Sequence, residues 1–174
     1  MVTIRAENLS DMPAREALLN AALGVKRFRK TSERLRRGRL AADGLAFSAV
    51  DAQGKLIGTV RLWDIIAGSA GPALLLGPLT VDCMFRDQGV GAALMKHAVE
   101  EAKRLGHAAV LLVGDAPYYS RFGFSECVTR SLHLPGPVER ARFLGLELVA
   151  GSIDGAEGLI AASGRVAEPA KKVA

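Results

Sequence analysis

Residues 74–113 change apolar period twice, and this change constrains the fold more than any other stretch of the 174-residue chain. LLLGPLTV (74–81) is an apolar run of strand length. From Gly89 onward Val90, Leu94, Ala98, Ala102 and Leu105 recur at helical spacing, with Lys96, Glu100, Lys103 and Arg104 off the stripe. Gly106 stands where a helix takes its left-handed terminal residue, and AAVLLV (108–113) is a second apolar strand. The unit reads strand, glycine turn, helix, strand. Proline cannot donate to a sheet ladder, so Gly77-Pro78 within the first strand predicts a bulge or kink.

The flanks carry antiparallel signals. LAFSAV (45–50), the turn DAQGK and LIGTVRLW (56–63) form a hairpin, and DIIAGSAGPA (64–73) reads as a second connection. Upstream, VTIR (2–5) is a short strand, and LSDMPAREALLNAAL is a helix capped by Ser10 or Asp11 with Pro13 in its first turn. Downstream, GDAPYYSRFGFSE predicts a brief helix capped by Asp115 and a strand from Phe124, and FLGLELV (143–149) predicts a final strand. The expected class is α+β (mixed α/β): one domain over residues 1–161, its central sheet mixed and mostly antiparallel and flanked by helices, with a loose tail over 162–174.

No apolar run approaches the roughly 18 residues of a membrane span, and the opening residues lack the order of a signal peptide. A cytoplasmic protein with no membrane partner is therefore expected. Cys83 and Cys127 stand alone without metal-ligand spacing, so neither a disulfide framework nor a bound metal is expected. The net charge of +5 is local. KRFRKTSERLRRGR (26–39) holds eight basic residues and one acid, leaving 15 basic and 17 acidic elsewhere. This segment reads as one or two surface helices anchored by Phe28, Leu35 and Leu40. It lacks the interleaved aromatics and motif spacing of a nucleic-acid-binding element, so no nucleic-acid partner is expected.

The glycine turn FRDQGVGAAL (85–94) admits two explanations. Glycines 89 and 91 would let a phosphate reach the unpaired amides of a helix N-terminus, with Arg86 adding a forked cation. Alternatively, they only let helix and sheet pack closely. A dinucleotide turn fits poorly, because Leu94 stands at its third glycine and a loop separates Val81 from Gly89.

LTVDCMFRDQGVGAALMKHAVEEAKRLG resembles the acyl-CoA-binding motif of the GNAT superfamily of N-acetyltransferases through Arg86, Gly89 and Gly91. YYSRFGF (118–124) is similar to that superfamily's tyrosine and Gly-Phe motif, and GDAPYYSRFGF with FLGLEL downstream resembles a YhbS-like bacterial subgroup. One departure is visible. Many members carry an Asn shortly before the tyrosine, where this chain reads LVGDAP.

The resemblance implies that strands 74–81 and 108–113 run parallel and splay, with the pantetheine of acetyl-CoA in the gap. Backbone groups of Leu79 and Val81 would pair with the arm, an N–H near Leu79 or Thr80 would polarise the thioester carbonyl, and Arg86, Asp87, Gln88, Gly89, Val90, Gly91 and Ala92 would hold the pyrophosphate. Tyr119 would contact the cofactor and donate a proton to the leaving thiolate. An unidentified primary amine of a small molecule or protein would attack directly in a ternary complex. Asp64, Asp82, Glu126, His133 and Glu147 are the candidate bases. Cys83 is a weaker candidate nucleophile, and Tyr118, Phe122 and Phe124 read as core. The alternative function is a non-catalytic acyl-CoA sensor or regulatory subunit, and the superfamily admits a homodimer.

Overall fold

A computed structural model describes residues 1–169. Its elements are β1 (Thr3–Ala6), α1 (Met12–Leu23), β2 (Ala46–Val50), β3 (Leu56–Ala67), β4 (Pro72–Val81), α2 (Val90–Arg104), β5 (Ala109–Val113), α3 (Ala116–Ser120), β6 (Ser131–His133), β7 (Phe143–Glu147) and β8 (Glu157–Ala162). One sheet runs β1-β2-β3-β4-β5-β7, and β8 pairs with both β3 and β6. The β4–β5 pair is parallel, whereas β1 to β4 form an antiparallel meander and β7 is antiparallel to β5. The expected mixed sheet is therefore present.

Both faces of the sheet are covered, which explains why its central strands are apolar throughout. Leu74, Leu76, Val110 and Leu112 face a core under α2, where Val90, Leu94, Met95, Ala98 and Ala102 are buried. The alternate residues Ala73, Leu75, Ala109 and Leu111 face a second core with Leu35, Trp63, Phe143 and Ile160. Leu105, expected on the α2 stripe, lies past the helix end and is 42% exposed. Gly106 adopts φ +86°, as a C-terminal cap requires. Among the described residues no helix is long and apolar enough to cross a membrane.

Several sequence expectations need correction. The stretch 64–73 is mostly strand: β3 continues through Ile65 and Ile66 to Ala67, and β4 begins at Pro72. β-Branched residues buried against a partner strand outweigh the local Asp and Gly signals. No strand begins at Phe124; Ser125 makes one bridge to Gly145 before a 3₁₀ turn at Glu126–Thr129. Asp11 does not cap α1 from its first position but reaches back to accept Asn8 N–H at 2.8 Å. It also takes both Arg5 guanidinium nitrogens at 2.7 and 2.9 Å, which ties α1 to β1.

The loose tail expected from residue 162 does not begin there. Ala162 lies in β8, Leu40 N–H donates to Arg165 C=O at 2.8 Å, and Ala167 N–H donates to Gly38 C=O at 2.8 Å. Residues 170–174 of that expectation lie outside the described residues.

Candidate active site

Two strand registers open a gap in the sheet. β4 and β5 pair only at Leu74 with Val110 and at Leu75 with Leu111. Beyond these, β5 follows β7 to Val113 while β4 stays with β3, so the parallel strands part from Leu76 onward. At the far end of β4, Asp82 N–H donates to Ile57 C=O at 2.7 Å. An antiparallel ladder alternates bonded and non-bonded pairs. Counting back through Val81–Gly58, Thr80–Thr59 and Leu79–Val60 assigns the Thr80 backbone to β3. The amides and carbonyls of Leu79 and Val81 then turn to the side that β5 has left.

The predicted bulge lies at the mouth of this gap. Leu62 faces Leu76 and Val60 faces Leu79, so Arg61 alone stands opposite Gly77 and Pro78. The Trp63 indole N–H donates to Gly77 C=O at 2.6 Å, holding the bulge against β3.

A cavity of about 680 Å³ occupies the gap. Its walls are Gly77–Leu79 of β4, Val113 and Gly114 at the end of β5, Tyr118 and Tyr119 of α3, and parts of the segments 27–36 and 137–142. Asp115 caps α3 as expected, accepting Tyr118 N–H at 3.2 Å. The Tyr119 ring lies edge-on to Tyr118 and Phe124, with centroids 4.9 and 6.1 Å away. It also fills the space beside Gly114, where a Cβ would fall 2.3 Å from Tyr119 Cε2. Burial pushes the Tyr119 phenol up to about 12, with Tyr118 acting in the same direction.

The turn before α2 is wound by Asp87 at φ +61° and Gly89 at φ +77°. The first bond of α2 runs from Ala93 N–H to Gly89 C=O at 2.9 Å, so the amides of Val90, Gly91 and Ala92 precede the helical ladder. Gln88 Nε2 braces the turn by donating to Met84 C=O at 3.1 Å. The two glycines differ in purpose. A Cβ at Gly89 would meet nothing within 4 Å, so that glycine answers to its backbone angle. A Cβ at Gly91 would lie 3.0 Å from the Tyr118 hydroxyl, so that glycine also answers to packing. Tyr118, read as core from the sequence, is half-buried, lines the cavity and joins the glycine turn to the tyrosine motif.

The remaining candidates fall in different places. Leu79 and Tyr119 share the cavity. Val81 and the Arg86 side chain line a separate pocket of about 350 Å³ beside α1, with Asp82 and Cys83. Asp87, Gln88 and Gly89 are exposed on the turn, and Val90 is buried, leaving only its backbone available.

None of the five candidate bases lines the cavity. Asp82 accepts Met84 N–H at 3.0 Å, Glu147 accepts the amides of Gly151 and Ile153 at 2.8 and 3.1 Å, and Glu126 and His133 are exposed. The cavity carboxylates are instead Glu33, Asp115 and Glu139. Among the described residues, no group of three or more His, Cys, Asp or Glu is placed to hold a metal ion.

Part of the basic segment is a wall of the cavity, through Arg27, Lys30, Glu33 and Arg36, while Lys26, Arg29, Arg34 and Arg37 are exposed outside it. The segment folds as 3₁₀ turns at Val25–Arg29 and Thr31–Leu35. Of its expected anchors Leu35 is buried, whereas Phe28 and Leu40 are 43% and 41% exposed. Arg27 and Arg36 are buried in their place, paired with Glu16 and Glu33. Hydropathy alone misses them because Glu16 comes from α1, eleven residues earlier.

Known proteins resemble this chain in sequence and fold. A family model described as an acetyltransferase (GNAT) domain matches residues 42–126. The uncharacterized N-acetyltransferase YhbS of Escherichia coli strain K12 is 30% identical over 158 residues, spanning 90% of this chain and 93% of YhbS. A crystal structure of E. coli YhbS in complex with CoA has a TM-score of 0.78 and 28% identity, covering 93% of this chain and 89% of that one. A GNAT family acetyltransferase from Brucella melitensis, solved in complex with acetyl-CoA, shares the fold with a TM-score of 0.60 at 24% identity, over 98% of this chain and 97% of that one. The splayed strands, the glycine turn and the tyrosine motif thus coincide with likeness along nearly the whole sequence, and the chain belongs to the GNAT family of acetyltransferases.

Proposed function

We propose that this protein transfers an acetyl group from acetyl-CoA to a primary amine, by direct attack within a ternary complex. The observation that carries this reading is the parting of β4 and β5 after Leu75, which frees strand-edge groups of Leu79 and Val81 and leaves Leu79 in a cavity that also holds Tyr119. The pantetheine arm extends along Leu79, Thr80 and Val81 as an added strand. The Leu79 amide polarises the thioester carbonyl, an interaction worth about 3 kcal/mol in the transition state. The pyrophosphate sits on the turn from Arg86 to Ala92, where amides and the helix dipole favour negative charge.

Tyr119 serves the leaving group. A phenol near 12 stays protonated at neutral pH, but handing its proton to a thiolate whose parent acid is near 8.5 would be uphill by about 5 kcal/mol. Tyr119 therefore acts as a hydrogen-bond donor to the developing thiolate, and solvent completes the protonation. Of the cavity carboxylates, Asp115 is committed to its cap, Glu33 to Arg36, and Glu139 is exposed, so the proton of the attacking ammonium leaves through water.

Calorimetric titration with acetyl-CoA tests this reading. The comparison variant is Gly91→Glu, because any side chain at Gly89 would be strained by its φ of +77° with or without a ligand. The parent is expected to bind and the folded variant to lose at least tenfold in affinity. A parent that binds neither acetyl-CoA nor CoA would overturn the proposal.

A further inference from the structure

Four arginines, Arg15, Arg27, Arg36 and Arg61, stand behind the β4 bulge, and three carboxylates serve them. Glu7 pairs with Arg15 and Arg61, Glu16 with Arg15 and Arg27, and Glu33 with Arg36. The side chains of Arg15, Arg27 and Arg36 are 7%, 8% and 9% exposed, so this surplus cation is largely shielded from water. A buried charge without full compensation is costly.

Arg36 presents that surplus to the cavity. Its Nε donates to Glu33 at 3.2 Å and its Nη2 approaches Ser32 Oγ at 3.5 Å, whereas Nη1 donates to no acceptor among the described residues. Nη1 lies over the bulge, 3.3 Å from where a Cβ on Gly77 would stand. Lys30 lines the same cavity. Partial burial at the cavity wall and the nearby cations Arg142 and Arg36 lower its ammonium from the usual lysine value.

We propose that the acceptor is a small amine bearing an anionic group, a carboxylate or a phosphate, seated on Arg36 Nη1 with Lys30 beside it. This rests on the N-acetyltransferase reading. Gly77 precedes Leu79 by two residues across the bulge, so at no more than roughly 3.3 Å per residue the backbone beneath Nη1 lies within about 7 Å of the amide that receives the thioester carbonyl. The amine and the anion are therefore separated by only a few bonds, as in short amino acids and aminoalkyl phosphates. Arg36 supplies a planar fork matched to either group.

The test uses protein saturated with CoA, so that cofactor phosphate sites are filled, titrated with inorganic phosphate and separately with formate. Matched acceptors are then compared by release of CoA thiol: phosphoethanolamine against ethanolamine, and β-alanine against its amide. At least one anion is expected to bind the parent and to weaken tenfold or more in Arg36→Gln and in Lys30→Gln, with acetyl-CoA affinity unchanged. Among acceptors that turn over, the anionic member should exceed its neutral partner at least tenfold in kcat/KM, and this ratio should collapse toward one in both variants. The responding arm distinguishes phosphate from carboxylate. Should Arg36→Gln fail to fold, the exposed Lys30→Gln carries the test alone. No anion binding, equal binding by the folded variants, or preference for the neutral amines would overturn the proposal while leaving the transferase reading intact. Failure of the parent to bind acetyl-CoA would instead overturn the reading beneath it.

Discussion

Gly114→Ala should damage catalysis through Tyr119, the ring its new methyl would meet. The new methyl would fall 2.3 Å from Tyr119 Cε2 and 2.8 Å from Cδ2. Restoring an ordinary carbon contact of roughly 3.5 Å moves the ring by about 1 Å. The ring cannot simply swing aside, because Tyr118 and Phe124 lie edge-on to it at 4.9 and 6.1 Å. Gly114 has no positive φ, so alanine fits its backbone and the clash is the main insult. Overpacking of this kind costs about 1–3 kcal/mol in stability, which a folded domain of this size survives. A misplacement of about 1 Å can cost on the order of 100-fold in rate. The assay is kcat from thiol release with a cognate amine, beside calorimetric acetyl-CoA affinity, for Gly114→Ala, Tyr119→Phe and the double variant. Each single change should lower kcat steeply while CoA affinity moves less than threefold, and the double variant should be little worse than Tyr119→Phe. Unchanged kcat in a folded Gly114→Ala, or losses that multiply in the double variant, would refute the claim that Gly114 acts through Tyr119.

Two stability predictions follow from shifted protons. Burial raises the Tyr119 phenol to about 12 in the folded protein, while the unfolded chain ionises near 10, so stability should fall by about 2–3 kcal/mol as pH rises from 10 to 12. Urea denaturation across that range should show a smaller fall in Tyr119→Phe. The Arg5 guanidinium, helped by Asn8 N–H and the Ser48 hydroxyl, holds Asp11 well below the usual carboxylate range. Its stabilisation is present above pH about 4 and is lost as pH falls toward the depressed folded value. Asp11→Asn should cost about 2 kcal/mol at pH 7, and the parent and variant curves should converge in acid. A constant gap down to pH 2 would contradict that account.

The parts legible from sequence are those whose signal is local. The period change around α2, the Gly106 cap, the bulge at Gly77-Pro78 and the Asp115 cap of α3 each depend on residues within one turn or strand, and each appears where expected. What was missed depends on partners distant in the chain. Arg27 and Arg36 read as surface charge because nothing local shows Glu16 beside Arg27 or the β4 bulge beside Arg36. In LVGDAP the sequence shows only that an Asn is absent, and the use of Gly114 appears once the Tyr119 ring lies against it. Candidate bases chosen by residue type were scattered because half of the cavity wall comes from the 27–36 and 137–142 segments, whose placement has no periodicity to reveal it. Residues 163–167 escaped notice because they are held through backbone groups, which composition does not report.

That backbone tether gives the Arg36 side of the cavity a remote anchor. Arg39 donates to Gly164 C=O at 2.7 Å, and the backbones of Gly38 and Leu40 bond to Ala167 and Arg165, immediately after the turn that carries Arg36. If the Arg36 wall takes the acceptor as proposed, substitutions near residue 165 should shift acceptor preference while every lining side chain stays the same.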